Sequence, residues 1–279
     1  MQAGARRLLC QSACGALVLL QLALGACATV RTTKPGAVGI ERKQMMLVSE
    51  ASIEKGSAEA YAAQLQQGKQ SGALNPDPLL TARVRRIADR LIPVTAEFRS
   101  DAPGWKWEVN TLDTPEINAY AMPGGKIMVY SGLVQKLQLT DAELAAVLGH
   151  EISHALREHT RERVSRAYEQ QIALTGLAVV TGFDPSAIDL ADAVASVTFE
   201  LPHSREQEAE ADVMGLELMA RAGYDPNAAV SLWKKMMAAD KDAPPQFLST
   251  HPASANRVAE IQRHIPEVEP LYRAATAAP

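Results

Sequence analysis

TDAELAAVLGHEISHAL, residues 140–156, holds both a helix start and a reactive motif. Thr140 followed by Glu143 is a capping box: the hydroxyl accepts from the third backbone amide while the glutamate reaches back to the cap. Leu144 to Leu156 contains no proline and one glycine, so nothing local stops the helix. Apart from His150, Glu151 and His154 that run is Ala, Val, Leu, Ile, Gly and one Ser. A helix apolar almost all round belongs inside a protein.

Residues 150–154 of this helix read His-Glu-Ile-Ser-His. Side chains four apart share a face, so both imidazoles can grip one zinc ion while Glu151 stands beside them as a general base. A chance match on a charged surface helix is the competing reading. The apolar flanks argue against it, because burying two imidazoles and a carboxylate without partners costs several kcal/mol. A catalytic zinc takes three protein ligands and keeps one position open. Cys10, Cys14 and Cys27 all fall in the first tenth of the chain, which leaves His, Asp or Glu for the third ligand.

The segment Ser204-Arg-Glu-Gln-Glu-Ala-Glu-Ala-Asp212 offers three glutamates. At about 100° per residue, Glu206, Glu210, Glu217 and Arg221 fall within an arc of about 60°, which reads as the solvated face. Glu208 lies nearly opposite, with Asp212, Gly215 and Met219 continuing its stripe. Glu208 is therefore expected to face inward, with Asp212 placed to hold a ligand histidine from behind.

Further out, a helix is expected within 49–67 and another at Leu79–Ala96, where Leu80, Val84, Ile87, Ala88 and Leu91 recur at helical spacing. Trp105–Val109, Ile117–Ala121 and Lys126–Tyr130 read as strands, the last two joined by the turn Met122-Pro-Gly-Gly125. Nearly everything after residue 132 reads as helix, including an apolar run from Ile172 to Val180 that is about half the length of a membrane span. The fold class is thus α+β, mostly helical, with a small sheet beside the active-site helix.

Arg6 and Arg7 precede an apolar stretch, Leu8 to Ala26, and no acidic residue occurs before Glu41. This is the pattern of a secretory signal. Leu24-Gly25-Ala26-Cys27 resembles a bacterial lipobox, which implies cleavage before Cys27 and its lipidation. Cleavage after Ala28 and an uncleaved anchor are the alternatives. Gly15, Gln21 and Gly25 interrupt an apolar core already short for a span of about 20 residues. The expected organisation is a signal peptide at 1–26, a lipidated Cys27 and flexible tether over 27–45, a zinc peptidase domain at 46–265 and a short tail at 266–279. The expected address is periplasmic and membrane-anchored, with the outer membrane favoured because Ala28 lacks the aspartate of inner-membrane retention.

Composition sets outer bounds. The 279 residues are 47% hydrophobic and 22% charged with a net charge of −4, which excludes collagen-like, coiled-coil and grossly disordered chains. Removing Arg6 and Arg7 with the signal leaves 26 basic against 32 acidic residues, near −6. An acidic chain has no electrostatic footprint for nucleic acid.

HEISH followed about fifty residues later by SREQEAEAD resembles the zinc metallopeptidases of the HtpX and CAAX prenyl protease family, on the BepA and LoiP branch. NAYAMPGGKIMVYSGL at 118–133, AGYDPNAA at 222–229 and STHPASANRVAEI at 249–261 extend the resemblance over roughly residues 45–265. It implies a zincin-type fold, one Zn2+ per chain on His150, His154 and Glu208, and Glu151 as general base. The family's ExxxD pattern falls on Glu208 and Asp212. Unlike HtpX and the prenyl protease, this sequence shows no further spans after its leader. The implied architecture is a short, lipid-anchored peptidase of the LoiP kind.

The expected function is a zinc endopeptidase of the bacterial cell envelope that cuts unfolded or misfolded envelope proteins. A periplasmic chaperone or assembly factor with a dormant or structural zinc site is the alternative, disfavoured because a structural site needs no base at Glu151. His203, Arg205, Tyr120 and His251 are candidates for the oxyanion donor that such a reaction needs. His251, in a loop-like PPQFLSTHPAS stretch, is a further candidate for regulating access to the zinc. Ile127–Tyr130, as an exposed edge strand, could take substrate by strand addition, or else be paired on both sides. His159 and His264 read as surface residues, and Trp105, Trp107 and Trp233 as core.

Overall fold

The computed structural model describes residues 29–175, 189–239, 246–252 and 254–277. The expected signal peptide, Cys27 and the end of the Ile172–Val180 run lie outside the described residues. Among the described residues, no helix is long and apolar enough to cross a membrane.

Ten helices appear among the described residues: α1 (Glu50–Gln70), α2 (Pro78–Val94), α3 (Ser131–Lys136), α4 (Asp141–Leu156), α5 (His159–Thr175), α6 (Leu190–Phe199), α7 (Arg205–Arg221), α8 (Asn227–Ala239), α9 (Gln246–Thr250) and α10 (Ala255–Ala277). The α+β expectation holds, with helix in the majority. The capping box of α4 forms as read, with the Glu143 amide donating to Thr140 Oγ1 at 3.2 Å and the Thr140 amide to Glu143 Oε2 at 2.8 Å. Every side chain from Glu143 to Leu156 is buried.

What α4 buries itself against is chiefly α7. The two helices cross at a pair of glycines: a Cβ on Gly149 would stand 2.8 Å from the Gly215 carbonyl oxygen, and one on Gly215 would stand 2.7 Å from the His150 amide nitrogen. Backbone-to-backbone contact brings the first turns of α7 alongside the histidines of α4. On the other side of α4 lies the sheet of β3 (Glu108–Leu112), β4 (Ala119–Met122) and β5 (Lys126–Tyr130), in the order β3-β5-β4. β3 runs parallel to β5, whereas β4 is antiparallel to it and forms the edge. The strand expected at Trp105–Val109 begins later, at Glu108. The Trp105 and Trp107 rings stack 5.5 Å apart and Trp107 Nε1 donates to the Ala102 carbonyl, which holds that stretch off the sheet. Of the two readings of Ile127–Tyr130, an exposed edge or a strand paired on both sides, the second holds: β5 is the central strand and is buried along its length.

Both ends of the expected domain pack instead of trailing. Residues 29–45, expected as part of a tether, form the antiparallel pair β1 (Thr29–Val30) and β2 (Gln44–Met45) and lie over α7. Gly36 has φ 65° and so little room that a Cβ would stand 2.4 Å from Phe98 and 2.6 Å from Glu217. The stretch 266–279, expected as a tail, continues α10 to Ala277 through Pro266 and Pro270. Val258, Ile261, Ile265, Val268 and Tyr272 form one apolar stripe at spacings of three and four, and burying it against the core outweighs two lost backbone bonds.

This packing overturns one reading of α7. Glu210 and Glu217, expected on a solvated face, are buried, and of that arc only Glu206 is exposed. The N-terminal segment covers the face: the Val38 amide donates to Glu217 Oε2 at 3.1 Å, and Arg42 donates to both Glu210 oxygens at 2.8 and 2.9 Å.

Candidate active site

His150 and His154 project from the same face of α4 with their Nε2 atoms 3.1 Å apart. Glu208, in the first turn of α7, points between them, with Oε2 3.6 Å from His150 Nε2 and Oε1 3.3 Å from His154 Nε2. The Ser204–Gln207 capping box sets that first turn. A fourth donor arrives from the segment after α9: His251 Nδ1 lies 2.8 Å from Glu208 Oε1 and 3.2 Å from His150 Nε2. Ligand atoms of these four buried residues all lie within 4.8 Å of one another. Three imidazole nitrogens and a carboxylate converging in a buried cluster match the donor chemistry of zinc.

Supporting contacts surround the cluster. Asp212 Oδ1 stands 3.0 Å from His150 Nδ1. Arg257 Nη1 pairs with Glu208 Oε2 across 2.6 Å, its Nε and Nη2 donate to Asp212 at 2.7 and 2.8 Å, and its guanidinium lies 3.7 Å over the Trp233 ring. Burial alone would raise the Glu208 carboxyl, but His251 and Arg257 hold it well below the usual carboxylate range. Asp212 is likewise held down, burial being outweighed by Arg257 and His150. Arg257 was not singled out in the sequence, although it lies in the STHPASANRVAEI segment; an arginine among helix-surface residues carries no local signal of where it folds.

Glu151 stands beside the cluster, with Oε1 3.6 Å from His251 Nε2, and lines a cleft with β4, α6 and α9. Burial raises its carboxyl despite the downward pull of His251 and His150. Glu151 Oε1, Tyr120 Oη and Thr198 Oγ1 all line this cleft and, among the described residues, have no hydrogen-bond partner. Burial also drives the Tyr120 hydroxyl well above its ordinary pKa, so it stays protonated as a donor. The edge of β4 runs along the same cleft through Ala119–Ala121.

The remaining candidates separate. The His203 ring sits 4.1 Å from that of His154 and stacks 4.8 Å from His251, with Arg163 Nη1 3.1 Å from its Nε2. Burial, then the neighbouring His154, pushes His203 well below its ordinary pKa, and burial brings Arg163 down to about 10. Arg205 is exposed and outside the cleft. It opens α7, and side chains tilt toward a helix's N-terminus, which sends it off the end into solvent. His159, expected at the surface, is buried, and its Nδ1 lies 2.7 Å from His154 Nδ1. Trp233 is core as expected and packs 5.7 Å from the His150 ring.

Residues 78–265 match Peptidase family M48. The mitochondrial metalloendopeptidase OMA1 of Schizosaccharomyces pombe is 36% identical over 191 residues, 68% of this chain and 54% of that protein. The OMA1 metalloendopeptidase of Bos taurus is 31% identical over 241 residues, 81% of this chain and 45% of that protein. The beta-barrel assembly-enhancing protease of Escherichia coli is 27% identical over 220 residues, 74% of this chain and 43% of that protein. The chain spans about half the length of these curated relatives. The same matches correct the expected periplasmic, lipid-anchored, outer-membrane address: relatives at 30–37% identity carry mitochondrial names, and the bacterial one matches at 27%.

Proposed function

Because the chain belongs to peptidase family M48, we propose that it is a zinc-dependent endopeptidase acting on unfolded or misfolded polypeptides. The observation that carries this reading is the convergence of His150, His154 and Glu208 beside a buried Glu151, in a cleft bordered by a strand edge. His150, His154 and Glu208 would hold the metal, which when bound polarises the scissile carbonyl and acidifies the attacking water.

The chain's own residues do the rest. A peptide in extended conformation can pair with the β4 edge, which selects backbone over side chain and suits a substrate that has lost its fold. Glu151 takes a proton from the attacking water and passes it to the departing amine; a carboxyl raised by burial is better matched to both transfers. Tyr120, with a protonated hydroxyl and no partner among the described residues, is the donor we favour for the developing oxyanion, ahead of His203. Asp212 steadies His150 from behind. His251 closes the cluster on the side where substrate must arrive, and we read it as the residue that regulates access.

Casein cleavage by wild type and Glu151→Gln, with metal content measured on both, tests the reading. Loss of cleavage by about 10²–10⁴-fold with zinc retained is expected. Equal rates would sink the mechanism, and a zinc-free wild type would sink the site.

A further inference from the structure

His159 is a buried histidine whose position the proposed reaction leaves unexplained. Helix α4 ends at Leu156 with Arg157 as its cap, and Glu158 turns the chain with φ 52°, so His159 opens α5 facing back onto the motif. Its Nδ1 lies 2.7 Å from His154 Nδ1, and its Nε2 lies 2.9 Å from Glu210 Oε2. Glu210 is itself clamped by Arg42 at 2.8 and 2.9 Å and by Arg157 at 3.0 and 3.2 Å.

Proton accounting fixes the direction of these bonds. An ionised carboxylate accepts and never donates, so His159 Nε2 carries the proton and donates to Glu210. A neutral imidazole has one N–H, which leaves His159 Nδ1 bare and able to accept from His154 Nδ1–H. The remaining lone pair of His154 is then on Nε2, the atom 3.1 Å from His150 Nε2 and 3.3 Å from Glu208 Oε1. His150 has a carboxylate directly behind it in Asp212, whereas His154 reaches one only through a second imidazole.

We propose that Glu210 and His159 are positioning residues that fix, through two successive hydrogen bonds, the tautomer and ring orientation in which His154 presents Nε2 to a metal ion. The inference rests on the metallopeptidase reading above and adds to it a relay anchored by Arg42 of the N-terminal segment. That segment thereby becomes part of the support of the metal site.

The test compares two polar substitutions of similar size in the metal-stripped full chain. In His159→Asn the amide oxygen falls near the place of Nδ1, facing His154; in His159→Gln the amide falls near the place of Nε2, facing Glu210. Zinc affinity is read by competition with a chromogenic chelator, and the ligand field by the visible spectrum of the Co2+-loaded proteins. His159→Asn should bind zinc about as wild type does, and His159→Gln about 10–100-fold more weakly with an altered Co2+ spectrum. Equal affinities in the two variants, high or low, would overturn the relay. Wild type also answers without substitution: in ¹⁵N-histidine NMR of the metal-free protein, His154 protonated on Nδ1 supports the relay and protonation on Nε2 overturns it. Wild type that binds no zinc overturns the metallopeptidase reading itself, whereas zinc-binding wild type with indistinguishable variants removes the relay alone.

Discussion

At the scale of single residues, the site depends on two glycines as much as on its ligands. Gly149 and Gly215 let two helix backbones touch, and the proposed ligands reach one another because they do. Gly215→Ala places a methyl 2.7 Å from the His150 amide nitrogen, a backbone atom that cannot step aside. The expected cost is about 1–3 kcal/mol of overpacking, which thermal unfolding would show as a drop of several degrees together with weaker zinc binding. An unchanged melting temperature would mean that the helices slide freely. Glu208 gives a cleaner chemical prediction. Glu208→Gln keeps the shape but removes the anionic ligand, so the purified protein should lose most of its zinc. Full occupancy in that variant would send the search for a third ligand to His251, the other member of the cluster.

At the scale of elements, the N-terminal segment and the stretch after α9 act on the site from opposite sides. Arg157 is wholly buried and donates to Glu210, Thr32, Thr33 and the Arg42 carbonyl, tying α4 to residues 32–42. Replacing it with Met strands part of a buried charge network, with an expected loss of roughly 3–5 kcal/mol in urea unfolding. A loss below about 1 kcal/mol would show that the segment merely lies on the surface. On the other side, His251 stands over the cluster from a short connection between α9 and α10. His251→Ala should accelerate casein cleavage if the histidine restricts access, and an unchanged rate would remove that role.

At the scale of the whole molecule, buried carboxylates set the response to acid. Burial would raise Glu162, but Arg42, Gln207 and Gln44 bring its pKa from an ordinary 4.5 down to about 2, and His159, Arg42 and Arg157 hold Glu210 lower still. A folded-state pKa below the unfolded value contributes stability that is complete above the unfolded pKa and vanishes as pH falls through the folded one. The contribution of these two carboxylates to the unfolding free energy should therefore be complete above about pH 5 and drop as pH falls from about 4.5 to 2. In Arg42→Gln the drop should be shallower, because Glu162 and Glu210 lose a shared cation. A parallel acid profile would place the acid sensitivity elsewhere.

Local chemistry made several features legible in the sequence. The Thr140–Glu143 capping box, the uninterrupted apolar run behind it and the i, i+4 histidines are short-range patterns whose consequences do not depend on the rest of the chain. The phase of α7 was legible too, and it separated Glu208 from Glu206. What phase could not say is what covers the opposite face. Glu210 and Glu217 read as solvated because a helix surface of charge is solvated unless donors from elsewhere meet it; here Arg42, 168 positions away, meets Glu210, and the Val38 amide meets Glu217. His159, Arg257 and His251 stand with the proposed ligands for the same reason: a glutamate turned to positive φ, a helix that carries on through two prolines and a short connection after α9 place them there. The sequence by itself determined the reactive helix and the side of α7 that meets it, because periodicity is a local property. Only the tertiary structure decided which distant charges surround that meeting point, because pairing a buried charge is settled by what else the fold brings within reach.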